Sequence, residues 1–524
     1  MSPDNRQILN SPPQSPMMPP MPNQPGQTPL ERRRLMAQND VRNASKGVVA
    51  FPKWLSQYSI IVYLLALAVV SFMYSAYSLP WYYMLSGIVA VLVFFLYGST
   101  AVKNTSIAKV HKQKNFERRL FIMAFIPRVL FTLLLYWIFQ TNYQDAFGFE
   151  NGDPTFYHDQ GAEFAEAIKN GSFGEVWNRV SKYIDLSDLG YPVYVGLIYT
   201  VTDNSILVVR LIKCLLSALA VLLVYRIAKR NFDSQTARVA AIFCALWPNF
   251  WYYCGTHLKE TEMVFLAVLF VEQTDQMLRS RQFTAWKIIP ILLIAATLFT
   301  FRTPLALVAI LALLFSITIS SSRVVNWGKR IIIGGLAALL IAITMGNRIQ
   351  EQASNLLEQA QSNKQESNME WRARRDNGNA FAKYAGSAVF APMIFTLPFP
   401  TMVRPYDGQD VQQLLNGGNF VKNILSFFTI FALIALLLSG RWREHMLPLT
   451  FMVGYLIVLA FSSFAQSERF HQPVMPFELM FAAYGLSIAV TKPKYKRWFT
   501  YWCMLMFVAA IAWNWFKLAG RGLI

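Results

Sequence analysis

The sequence predicts an all-α protein: a polytopic transmembrane helical bundle of about 12–14 spans, with amphipathic helices beside the membrane on its outer face. Three observations predict it. Of the 524 residues, 54% are hydrophobic and only 15% are charged, whereas soluble chains carry charge at about a quarter of their positions. Apolar runs of roughly 15–22 residues recur along most of the chain, close to the ~20 that cross a ~30 Å hydrocarbon core. The links between these runs alternate between basic clusters and loops rich in acids and histidine. In lipid, helix packing and internal hydrogen bonding hold such a chain together.

The elements follow in order. Residues 1–57 form a Pro-rich tail (S-P-P-Q-S-P-M-M-P-P-M-P) that cannot bury enough surface to offset its chain entropy, so disorder is expected. The tail has no apolar segment near its start, which argues against a cleaved signal peptide. Arg32, Arg33, Arg34, Arg42, Lys46 and Lys53 precede the first span and argue for a cytoplasmic tail. Residues 58–119 hold a transmembrane hairpin, spans 59–77 and 82–97, and a basic cytoplasmic loop. Residues 120–345 make a transmembrane module, with a first span at 120–139 and an acidic outer loop at 141–190. Residues 346–420 form a second outer region in which 388–400 is apolar enough to dip into the membrane, and 421–524 hold the C-terminal spans. Further spans are expected at 206–228, 237–253, 263–272, 288–301, 305–319 and 331–345, then at 421–438, 447–464, 474–490 and 499–515. The segment 191–201 is too short for an upright crossing and is left as re-entrant or surface-lying. No internal repeat is evident, so the inverted symmetry common in transporters is not indicated.

The net charge of +19 comes from 48 Lys and Arg against 29 Asp and Glu. In a membrane protein this reflects basic cytoplasmic loops that set orientation, so no nucleic-acid partner is expected. Cys214, Cys244, Cys254 and Cys503 lie in or beside apolar segments without metal-type spacing, and read as packing residues. Among basic residues within spans Lys213 stands alone, with Arg210 one turn before it; both could face lipid or phosphate.

Against that basic background the stretch 151–191 is unusual, for it gathers Asp153, His158, Asp159, Glu163, Glu166, Asp185 and Asp188. Two amphipathic helices are expected there, one through Phe156, Phe164 and Ile168, the other through Val176, Trp177, Val180 and Ile184. Three outer clusters pair an acid with His or Arg: Asp153/His158/Asp159, His257/Glu260/Glu262 and Glu468/Arg469/His471. Ionisable groups at a membrane boundary must be solvated or paired, which makes them functional candidates. Group transfer suits them: a carboxylate takes a proton from an acceptor hydroxyl while Arg302, Arg404 or Arg469 holds a phosphate leaving group. Each arginine serves equally well as an interfacial anchor to lipid phosphate. Neither a phosphate-binding Gly-rich loop nor a G-x-S-x-G nucleophile motif is present.

Several of these pieces, in their order, resemble a family. A span is followed by G-D-P-T-F-Y-H, then G-Y-P-V-Y, Y-R-I-A-K-R-N-F, A-A-I-F-C-A-L-W-P, L-K-E-T-E and, much later, S-E-R-F-H-Q-P-V-M-P-F. This order resembles the GT-C integral-membrane glycosyltransferases, in the branch of protein O-mannosyltransferases and the lipid A aminoarabinose transferase. The resemblance implies inverting single displacement of a sugar from a polyprenyl-phosphate donor to a hydroxyl of a glycan, lipid or protein acceptor. It implies Asp153 as general base with Asp159 as the fallback, and Glu260 as the second acid with Glu262 as its rival. It further implies donor or acceptor contacts from Tyr157, His158, His257, Arg302, Arg404 and Arg469. Pro398-Phe399-Pro400 resembles a P-F-P element of some members. His471 stands where the family's R-Y-R-x-P element has its second arginine, which unsettles a phosphate role for that position. Some members need a divalent cation, and no D-x-D motif here decides the matter, so metal is left unknown. A bacterial inner membrane with an outer-face site is the expected location. The competing readings are a polysaccharide polymerase or ligase using polyprenyl-linked glycans, and a lipid or solute transporter or flippase.

Overall fold

A computed structural model describes residues 50–105, 113–149, 152–183, 186–280, 285–319, 391–404, 410–462 and 465–524, with Val48, Gly328 and Gly335 besides. The tail 1–47 and the polar loop 346–383 lie outside the described residues, as does the expected span 331–345 but for Gly335. In chain order the main helices are α1 (Lys53–Met73), α2 (Trp81–Thr105), α3 (Gln113–Tyr143), α4 (Asp153–Lys169), α5 (Phe173–Tyr183) and α6 (Leu186–Thr202). They continue with α7 (Ile206–Asn231), α8 (Ser234–Leu246), α9 (Pro248–Gly255), α10 (Glu260–Arg279), α11 (Ile288–Phe301) and α12 (Thr303–Ile319). The last are α13 (Asn416–Ser439), α14 (Met446–Ala460), α15 (Met475–Ala489) and α16 (Pro493–Ala519). The fold is thus an all-α polytopic bundle; the only β pairing among the described residues is one isolated bridge, Ser78 to Val403. Six of the described helices, α1, α2, α3, α7, α13 and α16, are long and apolar enough to cross a membrane. Helices α11, α12 and α15 are apolar but shorter.

Two expected membrane segments take a different form. The run 237–253 is not one helix. It stops at Leu246 and restarts at Pro248, because Pro248 has no N–H to give and Trp247 before it is extended (φ −63°, ψ 115°). The break leaves the last carbonyls of α8 without helical partners. Arg128, fully buried in α3, answers them: Nη2 donates to Cys244 O and Nη1 to Ala245 O, each at 3.0 Å. Trp251 Nε1 adds a bond to Ala245 O at 2.8 Å. At the other end of α8, Asp233 caps the helix by accepting from the Gln235 and Thr236 amides.

The apolar piece 388–400, within the part described, is a short turn followed by extended backbone. Its start at 391–393 is open to the surface, whereas Ile394 and 396–400 are buried, Leu397 completely. Asn423 Nδ2 donates to the carbonyls of Thr396 and Pro398, and Asn514 bonds both Pro400 O and the Met402 amide. Irregular backbone is tolerated at such depth only when its polar groups are met by protein in this way.

The acidic stretch forms the two expected amphipathic helices, α4 and α5, with α6 behind them. Phe164, Ala167, Val176, Val180 and Leu189 make a small core of their own between the three. Helices α4 and α6 approach through glycine: a Cβ on Gly196 would stand 2.7 Å from the Phe164 Cβ and 3.1 Å from Gly161 O. Such small-residue contacts let two backbones pack closely where lipid provides no hydrophobic drive. The question left over 191–201 has an answer in the hydrogen bonds. Ser187 and Asp188, at the start of α6, bond Lys259, while Lys213, two turns into α7, bonds the carbonyls of Thr256 and Leu258. Helix α6 therefore begins and ends at the same end of the bundle and is not an upright crossing.

The opposite end is the basic one. Arg226 pairs with Glu117, Arg230 with Glu272 and Asp275, and Arg279 with Asp275, tying α3, α7 and α10 together. Arg279 also reaches Glu444 O beyond α13. The four cysteines are buried free thiols.

The close approach of α4 and α6 predicts that Gly196→Ala destabilises the protein by about 1–3 kcal/mol through overpacking. Thermal unfolding in detergent checks this, and an unchanged midpoint would contradict the contact.

Candidate functional site

Two of the sequence-predicted acids lie in the first turns of helices, where the partial positive charge of the helix end favours a carboxylate. Asp153 opens α4, after Gly152 at φ +97°, a conformation that favours glycine, and before Pro154, which suits a first helical turn. Glu260 opens α10 and is fully buried. Arg469 joins them from the short turn Glu468–His471. Its Nη1 donates to Asp153 Oδ2 at 2.5 Å and its Nε to Glu260 Oε1. The two carboxylates differ in access: the Asp153 side chain is 56% exposed and that of Glu260 is 0%. One guanidinium thus rests on a buried anchor and presents itself beside an open carboxylate. Glu260 Oε2 has no hydrogen-bond partner among the described residues.

Arg302 arrives at the same place. Its guanidinium carbon stands 4.0 Å from the centre of the Phe470 ring, and that of Arg469 lies 5.9 Å from it, so two cations approach one aromatic ring. Arg404 is held elsewhere, its side chain on Asp410 at 3.3 Å and its amide on Tyr77 O, beside the N-terminal hairpin.

Glu260 and Glu262 are two residues apart on a helix and therefore point to different faces. Glu262 is buried 3.9 Å from Lys213 Nζ, away from Arg469, and among the described residues neither of its carboxylate oxygens has a hydrogen-bond partner. The structure corrects the reading of Arg210 and Lys213, which face neither lipid nor solvent. Both are fully buried; Arg210 Nη2 donates to Ala146 O at 2.6 Å and Lys213 Nζ to Thr256 O at 2.8 Å. Nor does Lys213 stand alone, since Arg128 and Lys422 are buried within helices as well.

Lys259 was not among the sequence candidates, although it lies inside the L-K-E-T-E motif. Buried beside Glu260, it donates to Ser187 O at 2.9 Å, to Phe301 O at 2.7 Å and to Asp188. Burial pulls its pKa down, against the opposing pull of Asp188. Asp188 also accepts from the Tyr157 hydroxyl at 3.3 Å, so Lys259 links the starts of α6 and α10, the end of α11 and the middle of α4.

The histidines separate from this cluster. His158 Nδ1 bonds the Tyr199 hydroxyl at 2.8 Å, and the His158 and His257 rings lie 6.2 Å apart among Phe147, Tyr191 and Tyr199. His257 is fully buried, and neither ring nitrogen has a hydrogen-bond partner among the described residues. Burial pushes its pKa well below the ordinary histidine value, with Lys213 and Arg210 pushing the same way. Asp159 is exposed on α4. His471 is buried, with both nitrogens engaged away from the Asp153 cluster. Among the described residues no three His, Cys, Asp or Glu side chains converge as a metal ion would need. Asp153 and Glu260 share an arginine instead, so that pair does not fit a cation site as it stands.

A helical membrane bundle with carboxylates and guanidinium groups gathered at one end is the class defined so far, suited to group transfer on an anionic, lipid-borne substrate. The comparisons with known proteins narrow it. Residues 190–346 match a family described as dolichyl-phosphate-mannose-protein mannosyltransferase, a GT-C type membrane glycosyltransferase domain. The matched segment holds Tyr191, His257, Lys259, Glu260, Glu262 and Arg302, whereas Asp153, Arg404, Arg469 and His471 lie outside it. Comparison with curated proteins finds no significant match. The family match supports an integral-membrane glycosyltransferase that draws on a polyprenyl-phosphate-linked sugar.

A buried neutral histidine carries a pH signature. A folded-state pKa below the unfolded value of about 6.5 contributes stability that is present above that pH and lost as pH falls. Thermal midpoints in detergent are expected to drop between about pH 7 and about pH 5, by up to ~1.4 kcal/mol per pH unit for His257. His257→Phe should flatten part of that drop; an identical pH dependence in the variant would contradict the burial.

Proposed function

We infer that the protein transfers a sugar from a polyprenyl-phosphate donor to an acceptor hydroxyl at the outer face of a bacterial inner membrane, with the N-terminus cytoplasmic. The observation that carries this reading is Arg469, held by buried Glu260 and touching exposed Asp153. The donor phosphate is taken up between Arg469 and Arg302, which approach Phe470 together. Arginine suits this role because its fixed fork of donors matches phosphate oxygens.

Asp153 is the general base. Its Oδ2 is oriented by Arg469, leaving Oδ1 for the acceptor. The acceptor O–H proton passes to Asp153 while the acceptor oxygen forms a bond to the anomeric carbon. The bond from that carbon to the phosphate oxygen breaks on the opposite side of the sugar. The polyprenyl phosphate leaves with the electron pair, and Arg469 and Arg302 stabilise the charge that develops on it. Configuration at the anomeric carbon inverts. Glu260 touches neither substrate in this scheme; it anchors the guanidinium. Lys259 and Tyr157, through Asp188, fix α4 and so the direction of Asp153. The acceptor is a glycan, lipid or protein hydroxyl.

Transfer of radiolabelled sugar from a polyprenyl-phosphate donor in membranes tests the reading. Asp153→Asn is expected to lower kcat about 100-fold or more while donor binding persists. Arg469→Ala should raise the donor KM as well as lower kcat, and Asp159→Asn should stay near the unaltered rate. Loss of transfer in Asp159→Asn but not in Asp153→Asn would move the base. Flux of a solute or lipid across sealed vesicles without any transfer would replace the enzyme reading altogether.

A further inference from the structure

Behind the Glu468–His471 turn lies a second group of buried ionisable residues that the transfer chemistry does not use. Lys422, in α13, and Glu478, in the first turn of α15, are both buried, with Lys422 Nζ 3.6 Å from Glu478 Oε1. Lys422 Nζ also donates to His471 Nδ1 at 2.8 Å and to Leu397 O in the extended segment. On the far side of the ring His471 Nε2 reaches Ala465 O at 2.9 Å. A carbonyl oxygen only accepts and an ammonium only donates. The proton of the imidazole therefore sits on Nε2, and the Nδ1 lone pair faces Lys422. The ring is neutral, in one tautomer, with both nitrogens engaged.

Arg469 lies two residues before His471 in this turn. A four-residue helical turn has too few internal bonds to hold itself. Its position has to come from outside: besides the bonds of Arg469 to Asp153 and Glu260, Lys422 ties the turn to α13 through His471 Nδ1. Within the stretch, His471 Nε2 on Ala465 O and Gln472 Nε2 on Glu468 O, each at 2.9 Å, carry that anchor along the turn. Lys422 is a firm post for this purpose, since its three ammonium donors point at three separate elements: the extended segment, the turn and α15. A buried ion pair by itself is weak evidence for stability, so its role is better sought in what it holds.

We propose that Lys422, Glu478 and His471 are positioning residues that pin the 465–472 turn and thereby hold the Arg469 guanidinium on Glu260, aimed at an anionic phosphate ligand. The proposal rests on the reading of Arg469 as the phosphate-binding group. It assigns His471 a task other than contact with substrate. A histidine serves here because the space between Lys422 and the Ala465 carbonyl calls for one acceptor and one donor on opposite edges of a rigid ring. An arginine, which has donors only, would face the Lys422 ammonium with like charge.

The full-length protein in detergent allows two readouts: amide hydrogen exchange across 465–472, and binding of farnesyl phosphate as a short polyprenyl-phosphate probe. His471→Leu is expected to speed exchange across the turn about tenfold and to weaken farnesyl phosphate binding about tenfold, as loss of a bond to a charged group implies. His471→Gln, whose amide offers a donor and an acceptor, should restore much of both. In an Arg469→Gln background, His471→Leu should weaken binding no further, because the histidine acts through the arginine. If His471→Leu does not fold, the charge-neutral pair Lys422→Met with Glu478→Gln removes the post and should loosen the same turn. Unchanged exchange across 465–472 in a folded His471→Leu protein, or a full additional loss of binding in the Arg469→Gln background, would overturn the proposal. Loosening of the turn in a protein that binds no farnesyl phosphate even unaltered would leave the pinning in place and remove the phosphate role of Arg469.

Discussion

Every interruption of the helical hydrogen-bond ladder inside this bundle has to be answered by a donor that the protein itself supplies. In water, solvent would do it; in lipid an unmet carbonyl costs several kcal/mol. The answer is the same at five places: a buried cation whose donors reach backbone oxygens. Arg128 meets the end of α8, Lys213 the connection between α9 and α10, and Lys259 the carbonyls of Ser187 and Phe301. Lys422 meets the extended segment at Leu397, and Arg210 meets Ala146. These cations allow non-helical chain to exist in the interior, and non-helical chain is what brings the functional groups together.

The consequences run directly to the site. Because the chain breaks before Glu260, a helix can begin there, and its first turn is a favourable place for a buried carboxylate. Because α6 begins and ends at the site end, α4 is carried across that end with Asp153 at its tip. Because the 465–472 turn has external anchors, a guanidinium can be held between the two acids. Cations recur around the site yet do different work: Arg469 and Arg302, partly exposed, meet at Phe470, while the buried Lys213, Lys259 and Lys422 face the backbone.

The same distinction separates the candidate residues that meet in the structure from those that do not. Asp153, Glu260 and Arg469, chosen from three separate stretches, meet through one side chain; Arg302 joins them across Phe470. Arg404 had the same credentials in sequence, an arginine beside an apolar run, but its partners are Asp410 and the N-terminal hairpin. His471 fell in a motif and proves to be engaged behind the turn rather than on its open side. Lys259 stands in L-K-E-T-E, where a lysine next to an acid looks like a solvated neighbour until its three partners are known.

By itself the sequence determined the membrane class, the all-helical architecture and the amphipathic character of 153–183, and its 12–14 expected spans include the places of the six long apolar helices, since these follow from composition and from the 3.6-residue period. It also marked Pro248 and the acids at helix starts, which are local chemistry. Only the tertiary structure decided the break of 237–253 into two helices, the non-helical form of 397–403 and the lie of α6. It alone decided which of Glu260 and Glu262 faces Arg469, and what the buried lysines hold. The physical reason is that each of these depends on partners far away in the chain: a carbonyl that must be met, a counter-charge in reach, a glycine that lets another backbone approach. Periodicity reports how a segment divides between lipid and interior, whereas the identity of an interior neighbour is fixed by packing.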